Sequence, residues 1–178
     1  MKKLEIFSVI ILLSVFISCE YDSNKEKTNQ FVGLWSLYQM EFYNPQTKEW
    51  NEYKSVQGGF PDGIKGNLLY DDANHMSVHI VPKDYENTDL MFPTTIDSIS
   101  LGALKHLAVS YTYFAIYTID MDEGIIEHKR ISHSNPTMWN ETVKRKYSFV
   151  GDTLTLEPLE KELAGTRLSW VKVPNIKE

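Results

Sequence analysis

Two side chains in this sequence combine chemical capacity with positions that should keep them out of water: His128 and Arg145. His128 lies in the run from Ile125 to Ser132, where Glu127 and Lys129 must face solvent. Strand parity then turns Ile126, His128 and Arg130 inward, unless a bulge intervenes. Arg145 lies between Thr142 and Val150, where Lys144, Lys146 and Ser148 alternate with Val143, Arg145, Tyr147 and Phe149. The second set is aromatic and apolar, so it faces inward and takes Arg145 with it. An imidazole can donate, accept or carry a proton near neutral pH, and a guanidinium grips a carboxylate. Together they could hold a carboxylate or other anionic head group, with Tyr111, Tyr113, Tyr117, Tyr147 and Phe149 around an apolar body. No acidic residue shares the inward face of Arg145, so either backbone carbonyls or a ligand anion must satisfy it. The plainer readings are a hydrogen-bonded interior histidine and a structural arginine.

Other chemistries find less support. His75 and His79 share a strand face but lie roughly 13 Å apart at about 3.3 Å per residue, too far to share a metal. His128 and His133 fall on opposite faces by parity. The sequence therefore points to no metal site and no cofactor. There is no Gly-x-Ser-x-Gly elbow, and Gly58-Gly59 lacks the lysine and spacing of a phosphate loop. The Asn140-Glu141-Thr142 sequon carries no functional weight here. A net charge of −6 argues against a nucleic-acid partner, which needs a basic patch, and against binding of anionic lipid by the domain itself.

The elements that must position these residues are strands. From Leu34 to Tyr43 the period is two, with Leu34, Ser36, Tyr38, Met40 and Phe42 on one face and Trp35, Leu37, Gln39, Glu41 and Tyr43 on the other. Asn51 to Lys65 reads as loop. Gly66 to Tyr70 and His75 to Val81 are strands around a turn at Asp71-Asp72-Ala73-Asn74. Pro82 to Leu107 breaks the pattern and holds a short helix near Ile99 to Leu107, across one end of the domain. Val109 to Met121, Ile125 to Ser132, Thr142 to Val150, Thr153 to Glu157 and Arg167 to Val173 complete the set. The sum is about eight antiparallel strands, the pattern of an all-β sandwich or barrel.

Ahead of this domain, Lys2 and Lys3 precede a nearly apolar run from Leu4 to Ile17. That is the length of a signal h-region and shorter than the roughly 20 residues of a membrane span. It ends in Phe16-Ile17-Ser18-Cys19, which resembles the bacterial lipobox. The resemblance implies cleavage after residue 18, acyl chains (palmitate-type) on Cys19, and a lipid-anchored lipoprotein of the bacterial cell envelope. Cys19 is the only cysteine, so no disulfide can form within the chain. Residues 19–30 read as lipidated cysteine and flexible tether, and residues 31–178 as the domain.

Several pieces of the domain resemble the bacterial lipocalin-like family. These are Gly33-Leu34-Trp35; Gly66-Asn67-Leu68-Leu69-Tyr70 with Met76-Ser77-Val78; the aromatic run Tyr113 to Asp120 with Gly124-Ile125-Ile126-Glu127-His128; Arg145 to Phe149 with Gly151 to Leu156; and Leu168-Ser169-Trp170. Asp71-Asp72-Ala73-Asn74 departs from the family by lacking the usual glycine. The resemblance implies a closed barrel of about eight strands with an interior pocket. It also implies that Trp35 closes the barrel base, with Arg145 or Arg167 packed over it. A fold of this kind fixes no single activity.

Three functions are compatible with these residues. The leading one is a carrier of a small hydrophobic or anionic ligand, held by His128, Arg145, Tyr113, Tyr117 and Tyr147, with no catalytic residue and contact with the membrane only through the lipid on Cys19. The second is an isomerase- or cyclase-type enzyme using His128 as acid or base. The third is a protein-interaction module whose barrel is filled by its own side chains.

Overall fold

A computed structural model describes residues 30–53, 63–93 and 95–174. The segment expected to be a signal peptide, Cys19 and the expected tether up to residue 29 lie outside the described residues, as do residues 54–62. Residues 1–32 form one unit and Gly33–Glu178 another.

Among the described residues, nine strands and one helix make up the second unit: β1 (Gly33–Asn44), β2 (Glu49–Glu52), β3 (Ile64–Tyr70), β4 (His75–Pro82), α1 (Leu101–Ala108), β5 (Tyr111–Asp120), β6 (Ile125–His133), β7 (Thr142–Val150), β8 (Thr153–Pro158) and β9 (Thr166–Lys172). Strands β3 to β9 pair antiparallel in chain order, and β1 pairs with β3 on one side and β9 on the other. Eight strands thus close into a barrel. The ninth, β2, was not expected; only its last two residues, Asn51 and Glu52, fall in the stretch read as loop, and it pairs with the end of β1 from Glu41 to Asn44.

Short turns close one end. Residues 71–74 join β3 to β4, 121–124 join β5 to β6, and 151–152 join β7 to β8. The first of these needs no glycine. Asn74 adopts a left-handed φ of 67°, and the Asp71 carboxylate accepts from the Ala73 and His75 amides at 2.9 and 2.7 Å. The longer connections 83–110, 134–141 and 159–165 gather at the other end. Helix α1 starts at Ser100, whose hydroxyl accepts from the Ala103 amide at 3.1 Å. It packs on its own connection, where His106 stacks on Tyr85 at 4.3 Å and its Nε2–H donates to the Tyr85 carbonyl at 2.8 Å.

Two bulges interrupt the alternation. Tyr38 is the extra residue of β1 against β9, and Ile131 the extra residue of β6 against β5. Both project outward, and each swaps the faces of the residues that follow. Met40 therefore joins Trp35 and Leu37 on the interior face, although simple alternation puts it opposite them. His133 likewise joins His128 and Arg130 inside and is buried, correcting the expectation that His128 and His133 oppose each other.

Trp35 is 1% exposed and lies at the closed end, 6.1 Å from the Phe149 ring. The cation over its indole is not an arginine. Lys172 Nζ sits 5.1 Å from the ring centroid. Arg167 instead stacks on Trp50 at 4.2 Å and grips the Glu41 carboxylate with two bonds of 2.7 and 3.0 Å. The register explains the exchange: Trp35 pairs with Lys172, whereas Arg167 pairs with Glu41 at the far end of β1.

Candidate functional site

The barrel encloses a cavity of about 580 Å³ near its longer loops. Its apolar wall comes from Leu68 of β3, Val78 and Ile80 of β4, Leu156 of β8 and Leu168 of β9. The polar side is β5 to β7, which contributes Tyr111, Tyr113, His128, Arg130 and Arg145. Glu141 from the β6–β7 loop, Glu160 and Glu162 from the β8–β9 loop and Thr166 of β9 complete the polar lining.

Three of the five residues expected to hold a ligand line this cavity: His128, Arg145 and Tyr113. The other two do not. Tyr117 is buried at the closed end, where its hydroxyl donates to the Asp71 carbonyl at 2.8 Å and its ring meets Tyr70 edge-on at 4.9 Å. Tyr147 packs near Phe149, also toward the closed end, with ring centroids 6.1 Å apart. Parity correctly turns both inward. Their height along the strand takes them below the cavity.

His128 is 1% exposed and bridges two tyrosines. Its Nε2 lies 2.9 Å from the Tyr70 hydroxyl and its Nδ1 2.9 Å from the Tyr113 hydroxyl. Burial, reinforced by the positive charges of Arg145 and Arg130, pushes its pKa down to about 3. The ring is therefore neutral and has one N–H. That proton and the two hydroxyl protons serve two hydrogen bonds, so one hydroxyl proton is left to donate elsewhere. The tautomer protonated at Nδ1 leaves that proton on Tyr113, the tyrosine that lines the cavity. Burial also pushes the Tyr113 and Tyr70 hydroxyls up, so both remain protonated.

Arg145 has an acidic partner after all. Its Nη1 donates to the Glu160 carboxylate and to the Lys144 carbonyl, the latter at 2.8 Å. Burial raises the Glu160 carboxyl, but the Arg145 bond and charge and the Lys144 amide outweigh that and lower its pKa. Glu160 is not visible from strand alternation because it lies on a loop, where parity says nothing.

Arg130 is the second buried guanidinium. It donates to Glu141 and to the Tyr111 hydroxyl, both at 2.9 Å, and lies over the Tyr113 ring at 5.0 Å. Its parity is that of His128, so the alternation already marked it as interior. Trp170 is a further cavity residue, absent from the set expected to hold a ligand. It shares its face with Leu168, two residues earlier, and is 2% exposed.

Residues 32–173 match the model of the lipocalin-like domain. The chain belongs to the lipocalin-like family. No curated protein matches it. Among solved structures, this lipocalin-like barrel is similar to a lipocalin-like protein from Bacteroides uniformis, at 14% identity and a TM-score of 0.42, covering 81% of this chain and 99% of that one. It is also similar to a point variant of the fluorescent protein UnaG, at 10% identity and a TM-score of 0.39, covering 83% and 99%. A third is fatty-acid-binding protein 1 of Echinococcus granulosus, at 13% identity and a TM-score of 0.38, covering 82% and 99%.

Proposed function

We propose that this lipocalin-like chain is a lipid-anchored lipoprotein of the bacterial cell envelope whose barrel binds and carries a small, largely apolar molecule. The observation that carries the reading is the cavity. About 580 Å³ lies within the range of ligand sites, and its walls combine an aliphatic side with a few placed polar groups. A barrel packed solid by its own side chains, as the interaction-module reading needs, would have no such space.

The enzyme reading is less well supported. Both ring nitrogens of His128 are engaged by tyrosines, and a pKa near 3 makes the imidazole a weak base at neutral pH. An anionic head group also has less to bind than the sequence suggests, because Arg145 already holds Glu160 and Arg130 holds Glu141. The anchor rests on the sequence of the first 19 residues: Lys2 and Lys3, the apolar run from Leu4 to Ile17, and Phe16-Ile17-Ser18-Cys19.

Native mass spectrometry of the full chain, extracted from membranes in mild detergent, tests both halves. The expected result is a 1:1 small-molecule adduct that denaturation removes, on a chain that begins at an acylated Cys19. A chain with neither adduct nor affinity for apolar probes would sink the carrier. A Cys19→Ala variant that still fractionates with membranes would sink the anchor.

A further inference from the structure

Two buried donors on residues of the cavity wall have no acceptor among the described residues, the Arg130 Nε–H and the Trp170 Nε1–H. Arg130 is bonded through its other two nitrogens to Glu141 and Tyr111, whereas the indole has a single donor and nothing to give it to. Trp170 lies on β9 with its indole buried, between Leu37 of β1 and Leu154 of β8 in the strand register. No oxygen or nitrogen of the described residues accepts from its Nε1–H. Buried indole N–H groups ordinarily find an acceptor, since an unmet one forfeits its bond to water without replacement. Here the residue lines a cavity large enough to admit a ligand.

The surroundings define what that acceptor can be. The charged groups of the cavity belong to β6, β7 and the two mouth loops: Arg130, Arg145, Glu141, Glu160 and Glu162. The interior face of β9 offers only Thr166, Leu168 and Trp170 to the cavity, and its neighbour β8 offers Leu156 and Pro158. An anion beside Trp170 would lose its hydration and gain no opposing charge, which is costly. Both arginines are already paired with carboxylates of the adjoining loops, Arg130 with Glu141 and Arg145 with Glu160. A neutral oxygen loses little on entry and completes the indole's bond.

We infer that Trp170 is a ligand-binding residue, and that the carried molecule has an apolar body with an uncharged oxygen acceptor, such as a ketone, ester or amide carbonyl, bonded to the Trp170 indole N–H. This inference rests on the carrier reading and names the ligand class for the same cavity.

Three probes with one shared body test it: 2-acetylnaphthalene, with a neutral acceptor; 2-ethylnaphthalene, with none; and 2-naphthoate, an anion. The ketone is expected to bind about three- to tenfold more tightly than the hydrocarbon, the worth of one net hydrogen bond. In the ¹H–¹⁵N spectrum, one of four indole cross-peaks should move downfield with the ketone and not with the hydrocarbon. The spectrum of Trp170→Phe, which lacks that peak, assigns it. The same variant should bring the ketone down to the hydrocarbon's affinity. If that variant does not fold, the spectra of Trp50→Phe and Trp139→Phe narrow the assignment, and the shift in the native chain remains the test. Equal binding of ketone and hydrocarbon with the Trp170 peak unmoved overturns the inference and leaves the carrier standing. Tightest binding of the naphthoate overturns it in favour of the arginines. If no probe binds, the carrier reading falls and this inference with it.

Discussion

His128 shows how a residue type can be read correctly and its working state missed. An imidazole at an inward strand position was visible in the sequence. Its two tyrosine partners were not, because Tyr70 and Tyr113 come from strands 58 and 15 residues away. Burial, with the positive charges of Arg145 and Arg130, holds the ring neutral, and the two uncharged hydroxyls satisfy its nitrogens in that state. The pH consequence follows from the direction of the shift. The folded chain holds His128 near pKa 3, while the unfolded chain titrates near 6.5, so the unfolded state binds the extra proton first. The neutral ring's contribution is fully present above about pH 6.5 and is lost as pH falls from there toward 3, by at most about 1.4 kcal/mol per pH unit. Burial lowers the pKa of His133 in the same direction. The Glu160 carboxyl, also lowered, loses its contribution only as pH falls below its ordinary value of 4.5, outside the interval between pH 7 and pH 5. Urea midpoints measured at pH 7 and pH 5 should therefore converge in His128→Gln and separate in the native chain. Parallel losses in the two proteins would assign the acid sensitivity to another group.

At the scale of the elements, most of the barrel was legible and the local departures were not. Alternating side chains located eight strands because each strand has one face in the core, and the break in that alternation between Pro82 and Leu107 marked the place of the helix. β2 escaped because its four residues extend only the end of β1 and contribute little to the core. The bulges at Tyr38 and Ile131 escaped because an extra residue leaves no trace in a two-residue period until its partner strand is known. That is why Met40 and His133 changed sides. Arginine stacking on tryptophan was foreseen at Trp35, but in the β1–β9 register Lys172 and not Arg167 stands opposite it, so Lys172 serves Trp35 and Arg167 serves Trp50. One glycine shows how tightly the ladder is drawn. A Cβ on Gly66 would stand 2.4 Å from the His79 carbonyl and 3.0 Å from Ile80 Cγ1, where β3 meets β4. The carbonyl belongs to the sheet and cannot step aside cheaply. Gly66→Ala is expected to cost about 1–3 kcal/mol, read as a lower denaturant midpoint with an unchanged slope. A midpoint at or above the native value would show that the two strands can part there without loss.

The whole barrel is a ring of strands, and one seam closes it. Seven of its eight pairings join strands that follow one another around the barrel, with only β2 and its loops between β1 and β3. The eighth joins β1 to β9, and its Glu41–Arg167 contact spans 126 residues. This difference governs the order of events during folding. Pairings between consecutive strands close loops far shorter than the chain, whereas the seam must overcome the entropy of nearly the whole domain before it gains any contact. The barrel should therefore cross its rate-limiting barrier with the seam still open and zip it afterwards. Arg167→Met, which weakens the seam and the Trp50 stacking beside it, should speed unfolding and leave the folding rate within about twofold of the native value on a chevron plot. A folding rate that falls in proportion to the lost stability would mean that the two ends of the chain find each other first.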